Sequence, residues 1–517
     1  MIGVLLVSSF VVAQDNDDDV EEIVVKGNVL YSDQVNALKT PVPIMDVPQT
    51  VSIVTDEDIR KQGLREIGDI VRYTPGVNTS QGEGHRDAVV FRGVRSTADF
   101  FQDGNRDDVQ YYRSLYNVEQ VEILRGPNAL LFGRGGTGGV INRVSKKAAL
   151  GETFGAVDFG LDSFGANDIA VDYNTGTGDS TAVRMMIHSD ALENHRDHYD
   201  GRRLGFNPTV KIQMNDTTTL DISYEHADHE RYIDRGVPTE NGEPVERFEK
   251  ITFGGNENLT TLKANILRAT LSKQFSDTRK GNLSVVSSDF EKMYKNYYAS
   301  GYTAGASVVT MDGYLDPTER ENTIISGSMV NEVGKHTLLV GAELIDTTNN
   351  NHRYNTFWST TSDDNEVFTI TRPMNFTVNS AGVATNNDFT ADLKSKTKSD
   401  IDVTSIYIQD QIDVSDKLKL MIGGRHDSFD ITVTDIKAGS AQSRKDSKFS
   451  PRAGVIFKPQ DNISWYYSYS ESFLPRSGEQ YKKLTASAAA LDPDVYESSE
   501  VGVKWAISDD LSFTAAY

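Results

Sequence analysis

Residues 118–147 read VEQVEILRGPNALLFGRGGTGGVINRVSKK, and this stretch decides how the chain can fold. Its first part alternates apolar and polar residues, which predicts a strand that ends at Arg125-Gly126-Pro127. Five glycines among residues 133–139 let the backbone adopt positive φ angles and approach other surfaces closely. A second predicted strand follows at residues 140–144. The pattern therefore indicates two strands joined by a glycine-rich connection.

Glycine-rich loops of another kind hold phosphate groups, and that alternative fails on the sequence. A phosphate loop places Lys and then Ser or Thr directly after its last glycine. Here Val140 and Ile141 follow Gly139. The chain also has no HExxH pattern, no paired cysteines and no Ser-His-Asp order. We therefore predict neither a nucleotide site nor an enzyme.

The glycine-rich stretch is similar to the end of the plug domain of TonB-dependent outer-membrane receptors, in particular the siderophore receptors. Residues 46–54, 70–77 and 91–94 resemble other plug segments of that family, in the same order. The resemblance covers the chain from about residue 20 onward. It implies an α+β plug domain inside an antiparallel transmembrane β-barrel, which has about 22 strands in a complete family member.

Composition is compatible with that architecture. The 517 residues carry a formal net charge of −23, which argues against a nucleic-acid partner because phosphate binding needs clustered Lys and Arg. No apolar run approaches the roughly 18 residues that a membrane helix needs. A barrel crosses a bilayer with alternating strands, so a mean hydropathy of −0.43 does not exclude a membrane protein. The absence of cysteine is compatible with export.

Two segments precede the plug. Residues 1–14 contain an apolar run of signal-peptide length without a basic start, so we expect a partial signal peptide, with a buried strand as the alternative. Residues 15–44 begin with an acidic run and are expected to be flexible. Within them lies a short β-prone segment that is similar to the TonB box of the family, and its alternative is an ordinary edge strand. Its residues are Glu22, Ile23, Val24, Val25 and Lys26.

Residues 45–150 form the expected plug. Thr55 can cap a helix that runs through Gln62 and ends at Gly63, since acidic residues fill its first turn. A second short helix is predicted over residues 67–73, where Pro75-Gly76 stops it.

Residues 151–517 form the expected barrel. Alternation such as that of residues 463–470 suits a strand with one lipid-facing and one inward face, although a soluble sandwich gives the same signal. Short turns alternate with long connections, for example near residues 349–399 and 437–445, and this favours an outer-membrane barrel. We count about 15 strands, fewer than the family's about 22, and the last apolar stretch stops in mid-strand. The barrel is therefore expected to be incomplete at its C-terminus.

The resemblance also suggests which residues touch the ligand. Residues 81–87 and 109–113 match the outward plug loops of the family, with Phe101 between them, and Tyr298 lies in a predicted external loop. Aromatic rings offer stacking area and Arg offers positive charge to an anionic ferric chelate. The alternative is a solvated polar loop. The candidates are Arg86, Phe101, Tyr111, Tyr112, Arg113 and Tyr298.

In the family, arginines of two Arg-Gly motifs pair with barrel glutamates. The matching residues here are Arg92 and Arg125, with Glu500 as the first candidate partner and Glu471 as the second. An unpaired buried Arg is costly, so such pairs would hold the plug in place. The alternative is exposed surface charge.

Four histidines fall at the predicted outer rim, His195, His198, His226 and His229. Imidazoles can bind a metal, but we interpret these as solvated loop residues and predict no metal site.

Taken together, the resemblance implies active uptake of a ferric siderophore across the outer membrane of a Gram-negative bacterium. No intrinsic cofactor is expected. The implied partners are the TonB-ExbB-ExbD complex, outer-membrane lipid and lipopolysaccharide. Alternative cargoes are cobalamin, haem, a nickel chelate or an oligosaccharide. A second class of function, a surface receptor or adhesin without transport, also stays open.

Overall fold

The computed structural model describes residues 29–80 and 82–517. We call residues 29–148 the plug and residues 149–517 the barrel. The predicted partial signal peptide and TonB box lie outside the described residues, as does Gln81.

The plug is built on a mixed five-stranded sheet with the strand order β1-β7-β8-β5-β6 and a second sheet with the order β2-β3-β4. Its strands are β1 (Val51–Thr55), β2 (Val77–Thr79), β3 (Val89–Phe91), β4 (Val94–Ser96), β5 (Phe100–Gln102), β6 (Asn105–Arg106), β7 (Val118–Arg125) and β8 (Gly139–Ser145). Its helices are α1 (Asp56–Gln62), α2 (Ile67–Val71) and α3 (Ala129–Phe132), with short 3-10 turns at Val29–Tyr31, Asn36–Leu38, Ile44–Asp46 and Gly82–Gly84.

The capping signals of the plug helices act as expected. The side chain of Thr55 accepts a hydrogen bond from the Asp58 N–H in a capping box, and Gly63 ends α1 in the left-handed region with φ 62°. These contacts confirm the first predicted helix. The second helix ends two residues earlier than predicted, at Val71, with Arg72 as its C-cap.

The segment before residue 45 needs a correction, because its described part packs against the plug. Val35, Ala37 and Leu38 are buried in the same apolar cluster as Leu124 of β7. The Glu122 carboxylate accepts hydrogen bonds from the backbone N–H groups of Asn36 (2.7 Å) and Ala37 (2.8 Å). Residues 29–44 therefore belong structurally to the plug, since their apolar side chains complete its core.

The barrel consists of long antiparallel strands joined mainly in sequence order. Its strands are β9 (Phe154–Leu161), β10 (Asn167–Gly176), β11 (Thr181–Glu193), β12 (Asp200–Asn215), β13 (Thr218–Tyr232), β14 (Thr239–Glu240), β15 (Glu243–Pro244), β16 (Leu259–Ser276), β17 (Arg279–Thr303), β18 (Val308–Leu315), β19 (Thr318–Val333), β20 (His336–Asn355), β21 (Glu366–Thr369), β22 (Asp392–Ser415), β23 (Leu418–Asp435), β24 (Ser440–Gln460), β25 (Ile463–Leu474), β26 (Asp494–Ser508) and β27 (Leu511–Ala516). A short helix, α4 (Ala486–Ala489), lies between β25 and β26.

Fifteen of these strands form the wall, because β14 and β15 pair only with each other and β18 and β21 extend the hairpins at one end. This number agrees with the predicted count. Two-residue turns such as 216–217 and 334–335 close one end, which we call the inner end. The longer connections, 233–258, 356–391 and 475–493, lie at the other, outer end. The predicted alternation of connections is confirmed.

Two predicted connections are shorter than expected. Strands β23 and β24 stay paired up to Asp435 and Ser440, so the connection predicted near 437–445 has only the residues 436–439. Strand β20 continues to Asn355 and β22 begins at Asp392, inside the connection predicted over 349–399. Both differences have the same cause. Backbone hydrogen bonds between two adjacent strands continue beyond the point where the sequence pattern ends, because each strand supplies donors and acceptors for the other.

The outward and inward faces of the wall differ in exposure, as the two-residue alternation of side chains along each strand predicts. In β25 the outward Trp465 and Tyr467 are 51% and 50% exposed, whereas the inward Ser464 and Tyr466 are 0% and 4% exposed. Outward aromatic and aliphatic side chains suit lipid, and inward ones contact the plug. Among the described residues, no helix has the length and apolar character needed to cross a bilayer.

Candidate functional site

A cavity of about 310 Å³ lies between the outer end of the plug and the barrel wall. The plug reaches it through the turn Gly82–Gly84 and the connection that follows β6. Barrel strands β17–β20 supply its wall, and the connection 475–493 folds inward to cover it. The lining residues are Glu83, His85, Arg86, Val109, Gln110, Arg235, Lys292, Tyr294, Tyr298, Tyr314, Asp316, Thr318, Arg353, Gln480 and Lys482.

The cavity is positively charged in a strongly acidic protein. Five basic side chains line it against two carboxylates. Glu83 pairs with Arg86 at 3.0 Å, and Asp316 pairs with Lys482 at 3.0 Å. Since the carboxylates cannot neutralise every cation, the arrangement favours an anionic ligand.

His85 is held neutral at the floor of the cavity. Its ring stacks on Tyr294 with a centroid distance of 3.8 Å, and its Nδ1 lies 2.7 Å from the Lys292 Nζ. Burial, reinforced by the positive charge of Lys292, lowers the pKa of His85 well below its usual value. The ring therefore accepts a hydrogen bond and adds no charge near neutral pH.

Tyrosine rings and arginines are interleaved along the wall. The Arg235 guanidinium lies 4.0 Å from the centre of the Tyr298 ring, and that of Arg353 lies 3.6 Å from the centre of the Tyr314 ring. Stacking of this kind holds a guanidinium in place while it keeps donors free for a ligand. The cavity thus combines fixed positive charge with aromatic surface.

Comparison with known proteins gives the family. Residues 162–517 match the model described as TonB dependent receptor-like, beta-barrel, and residues 43–140 match the TonB-dependent Receptor Plug Domain. The chain belongs to the TonB-dependent receptors. A probable TonB-dependent siderophore receptor PiuA from Acinetobacter baumannii is 25% identical, and the match covers 94% of this chain and 70% of that protein.

Other relatives agree with this placement. The catecholate siderophore receptor Fiu of Escherichia coli K12 is 24% identical over 100% of this chain and 74% of its own length. The crystal structure of PiuA from Acinetobacter baumannii has a TM-score of 0.82 and 21% identity, and the match covers 92% of this chain and 72% of that one. The receptor described here therefore shares the plug-in-barrel fold of the family.

Two of the six ligand candidates line the cavity of this receptor, namely Arg86 and Tyr298. Arg113 does not, and this corrects the sequence-based expectation. Its guanidinium is 0% exposed and donates to the Asp107 carboxylate (2.9 Å) and to the carbonyl oxygen of Val109 (2.8 Å). Because its described partners are plug atoms, Arg113 stabilises the plug rather than offering charge to a ligand.

The other three candidates are also structural. Tyr111 is buried and donates to the Asp107 carboxylate at 2.8 Å. Phe101 is 1% exposed and packs against the Phe132 ring at 4.5 Å. Tyr112 lies beneath Arg231, whose guanidinium is 4.0 Å from the ring centre. Tyr111 and Tyr112 thus contact the barrel wall and Phe101 packs within the plug, and the sequence alone does not distinguish these positions from ligand contacts.

The sequence missed the cavity residues that come from the wall. Lys292, Tyr294 and Tyr314 sit on barrel strands, where they follow the same alternation as every other inward residue. Lys482 comes from an outer connection whose path is set by tertiary contacts. The available signal was the density of Tyr and Lys in residues 292–302.

The predicted plug–barrel contact between Arg92 and Glu500 is present as an ion pair. The Glu500 carboxylate also accepts from the backbone N–H of Thr50 (3.1 Å) and from the hydroxyl of Tyr466 (2.7 Å). One barrel carboxylate therefore joins two separate plug segments.

Arg125 and Glu471 need corrections. Arg125 donates to the carbonyl oxygen of Pro75 (3.0 Å) and to the hydroxyl of Ser52, both within the plug. Burial, with the neighbouring positive charge of Arg92, lowers the pKa of Arg125 to about 10. Glu471 binds Lys448 at 3.5 Å on the adjacent barrel strand. Arg125 and Glu471 therefore each bind a neighbour in their own domain rather than forming a contact between plug and barrel.

Further polar contacts that the sequence did not indicate seat the plug against β24 and β26. The Lys504 Nζ donates to the carbonyl oxygens of Ile44 and Val47, each at 2.6 Å. Arg452 donates to the side chain of Gln49 at 2.9 Å. These contacts hold the start of the plug to the wall.

Within residues 29–80 and 82–517, no group of three or more His, Cys, Asp or Glu residues is arranged to hold a metal ion.

Proposed function

We propose that this receptor carries a ferric siderophore across the outer membrane, with energy supplied by the TonB-ExbB-ExbD complex. The observation that carries the proposal is the cavity at the plug apex, in which basic side chains outnumber carboxylates five to two beside a wall of tyrosines. An anionic iron chelate with aromatic or polar arms complements such a surface. The protein performs no chemistry on this ligand, which is bound and moved.

The relatives support this choice of cargo. The proteins matched over most of this chain include a probable siderophore receptor, a catecholate siderophore receptor and a ferrichrome outer membrane transporter/phage receptor. Outward apolar residues of the barrel suit contact with outer-membrane lipid and lipopolysaccharide, which are the expected surroundings.

The route of the force begins at the segment Glu22 to Lys26. In this proposal TonB adds that segment to its own sheet and pulls on the chain that leads into the plug. Deletion of residues 22–26 is expected to abolish uptake while binding of the ferric siderophore at the cell surface stays intact. Uptake that survives the deletion would contradict the mechanism.

A direct test of the cargo is titration of the purified receptor with ferric chelates, followed by quenching of intrinsic fluorescence. Ferric catecholates and hydroxamates are compared with cobalamin, haem, a nickel chelate and an oligosaccharide. A deletion strain is then grown under iron starvation on a panel of iron sources. Tight binding of a ferric chelate and loss of growth on it support the proposal, whereas binding without any transport defect identifies a surface receptor.

A further inference from the structure

Two cavities lie on the same side of the plug. The upper one is the ligand cavity described above. The lower one, of about 630 Å³, reaches the turn residues Asp216 and Thr217 at the inner end. Its wall is mostly polar, since β16, β17 and β19 contribute Ser, Thr, Asn, Gly, Lys and Gln residues together with Val330, and β22 adds Tyr407; its other side is the plug.

The register of β17 and β19 places the two cavities one above the other. Lys292 of the upper cavity is paired with Thr318, and Ser284 of the lower cavity is paired with Ser326. The seven residues between Ser284 and Lys292 therefore separate the cavities along one wall.

An apolar septum lies in this gap, beside the hydrogen bond between Asn322 and Ser288. Val286, Phe290 and Ile324 of the wall are buried in one cluster with Val109 and Tyr111 of the plug. The ring of Tyr111 lies 6.0 Å from that of Phe290. A dry contact of this kind blocks a polar solute until the plug side is withdrawn.

The plug side of the septum belongs to one segment, residues 103–111. Besides the apolar contacts of Val109 and Tyr111, two polar contacts join it to the wall: Asn105 accepts from the Ser326 hydroxyl at 3.0 Å, and Asp108 accepts from Arg320 at 2.7 Å. Arg113 holds the base of the segment through the carbonyl oxygen of Asp107 at 2.7 Å. The hydrogen bond between Asn105 and Ser326 can be exchanged for water at modest cost, whereas the buried ion pair between Asp108 and Arg320 is costly to break and keeps the segment closed until force is applied.

The opposite wall is tightly packed. A Cβ placed at Gly423 would lie 2.6 Å from the Leu130 Cδ1, and one at Gly454 would lie 2.5 Å from the Pro48 Cγ. Backbone and plug side chains touch there with no space for a methyl group. A path along that wall would require the whole plug to leave.

We propose that the cargo passes from the upper to the lower cavity along β17 and β19, and that residues 103–111 move aside while α3 stays seated on the opposite wall. This inference rests on the proposed function. It assigns the buried Tyr111 to the gate and the polar lower cavity to the exit.

Pairs of introduced cysteines test the route, because the chain has no cysteine of its own. Asn105→Cys with Ser326→Cys ties the proposed gate to the wall. Leu130→Cys with Gly423→Cys is the matched control, which ties α3 to the opposite wall. Disulfide formation is verified by mass spectrometry, and binding and uptake of the iron-loaded siderophore are measured in cells before and after reduction.

The oxidised gate pair is expected to bind normally and to lose uptake, which reductant restores. The oxidised control pair is expected to keep uptake. Loss of uptake in both oxidised pairs would overturn the inference in favour of movement of the whole plug, and uptake in both would place the route elsewhere. Failure of uptake in the unmodified receptor would instead contradict the proposed function.

A second measurement does not depend on disulfide formation. Tyr111→Ala removes the ring from the septum and is expected to raise passive entry of a large, normally excluded antibiotic in cells without TonB. Phe132→Ala is the control, since that ring packs against Phe101 outside the septum. Equal entry in the two variants would contradict a septum at Tyr111.

Discussion

The guanidinium of Arg92 in the plug pairs with the carboxylate of Glu500 on barrel strand β26. These residues are separated by 408 positions in the chain, and the same carboxylate also holds the backbone of Thr50. The plug is thus anchored by a charge that lies on the wall rather than within the plug.

Glu500→Ala should destabilise docking of the plug. It removes the acceptor of Arg92, Thr50 and Tyr466 together. We expect docking of the plug to lose about 2–3 kcal/mol of free energy. This is less than for a fully buried ion pair, because the Arg92 side chain is 36% exposed. The measurement is protease sensitivity of the plug across a denaturant series. Glu471→Ala, which removes contacts within the barrel only, is the control and should leave the plug unchanged.

Arg113→Met should unfold the plug rather than weaken ligand binding selectively. It leaves the buried carboxylate of Asp87 without its cation and removes one of the two cations beside Asp107, at a cost of about 3–5 kcal/mol. The exposed Arg95 of β4 provides the control, since Arg95→Met should change stability by less than about 0.5 kcal/mol. A stable Arg113→Met plug with weakened siderophore binding would restore Arg113 as a ligand contact.

Asp99→Asn should stabilise the plug near neutral pH. Burial, with a smaller contribution from Glu479, raises the pKa of Asp99 from 3.8 to about 6, although the Gly136 N–H donates to its carboxylate. A carboxyl whose pKa rises on folding holds its proton more tightly in the folded state. Stability is therefore lost as pH rises from about 4 to about 6, and it stays low above that range.

Asn keeps an acceptor for the Gly136 N–H and has no charge. The free energy of unfolding of the variant should therefore exceed that of the parent by up to about 3 kcal/mol at about pH 7, and the two should be equal below about pH 4. Thermal unfolding of variant and parent across this range measures the difference. A gain in stability that is the same at every pH would contradict the raised pKa of Asp99.

Gly454→Ala should push the plug away from the wall. The added methyl would meet Pro48, and such overpacking costs about 1–3 kcal/mol. Gly327→Ala is matched in size, but its nearest neighbour, the carbonyl oxygen of Asn282, lies 3.5 Å away. We expect increased protease cleavage of the plug in the first variant only.

Arg235→Gln should weaken binding of an anionic ferric chelate by about 1–2 kcal/mol and reduce its dependence on salt. Arg235 stacks on Tyr298 within the cavity, whereas Arg247 stacks on Phe248 outside it. Arg247→Gln is therefore the control, and titrations at low and high salt compare the two. An equal loss in both variants would indicate a general surface effect.

Local patterns were enough to establish the architecture. The glycine-rich connection, the capped helix at Thr55 and the alternation along β25 depend on neighbours in the chain, and the structure contains all three. The resemblance to the family, rather than these patterns, suggested Arg86 as a ligand candidate and the pair of Arg92 with Glu500.

Long-range packing settled the remaining questions. Arg113 and Tyr111 look like loop residues in the sequence, but Asp87, Asp107 and the barrel wall bury them. The ligand cavity joins side chains from Glu83 to Lys482, and their convergence depends on the register of strands that are far apart in the chain. A period of two tells which residues point inward, but the height of each along the barrel axis follows from pairing with the neighbouring strands.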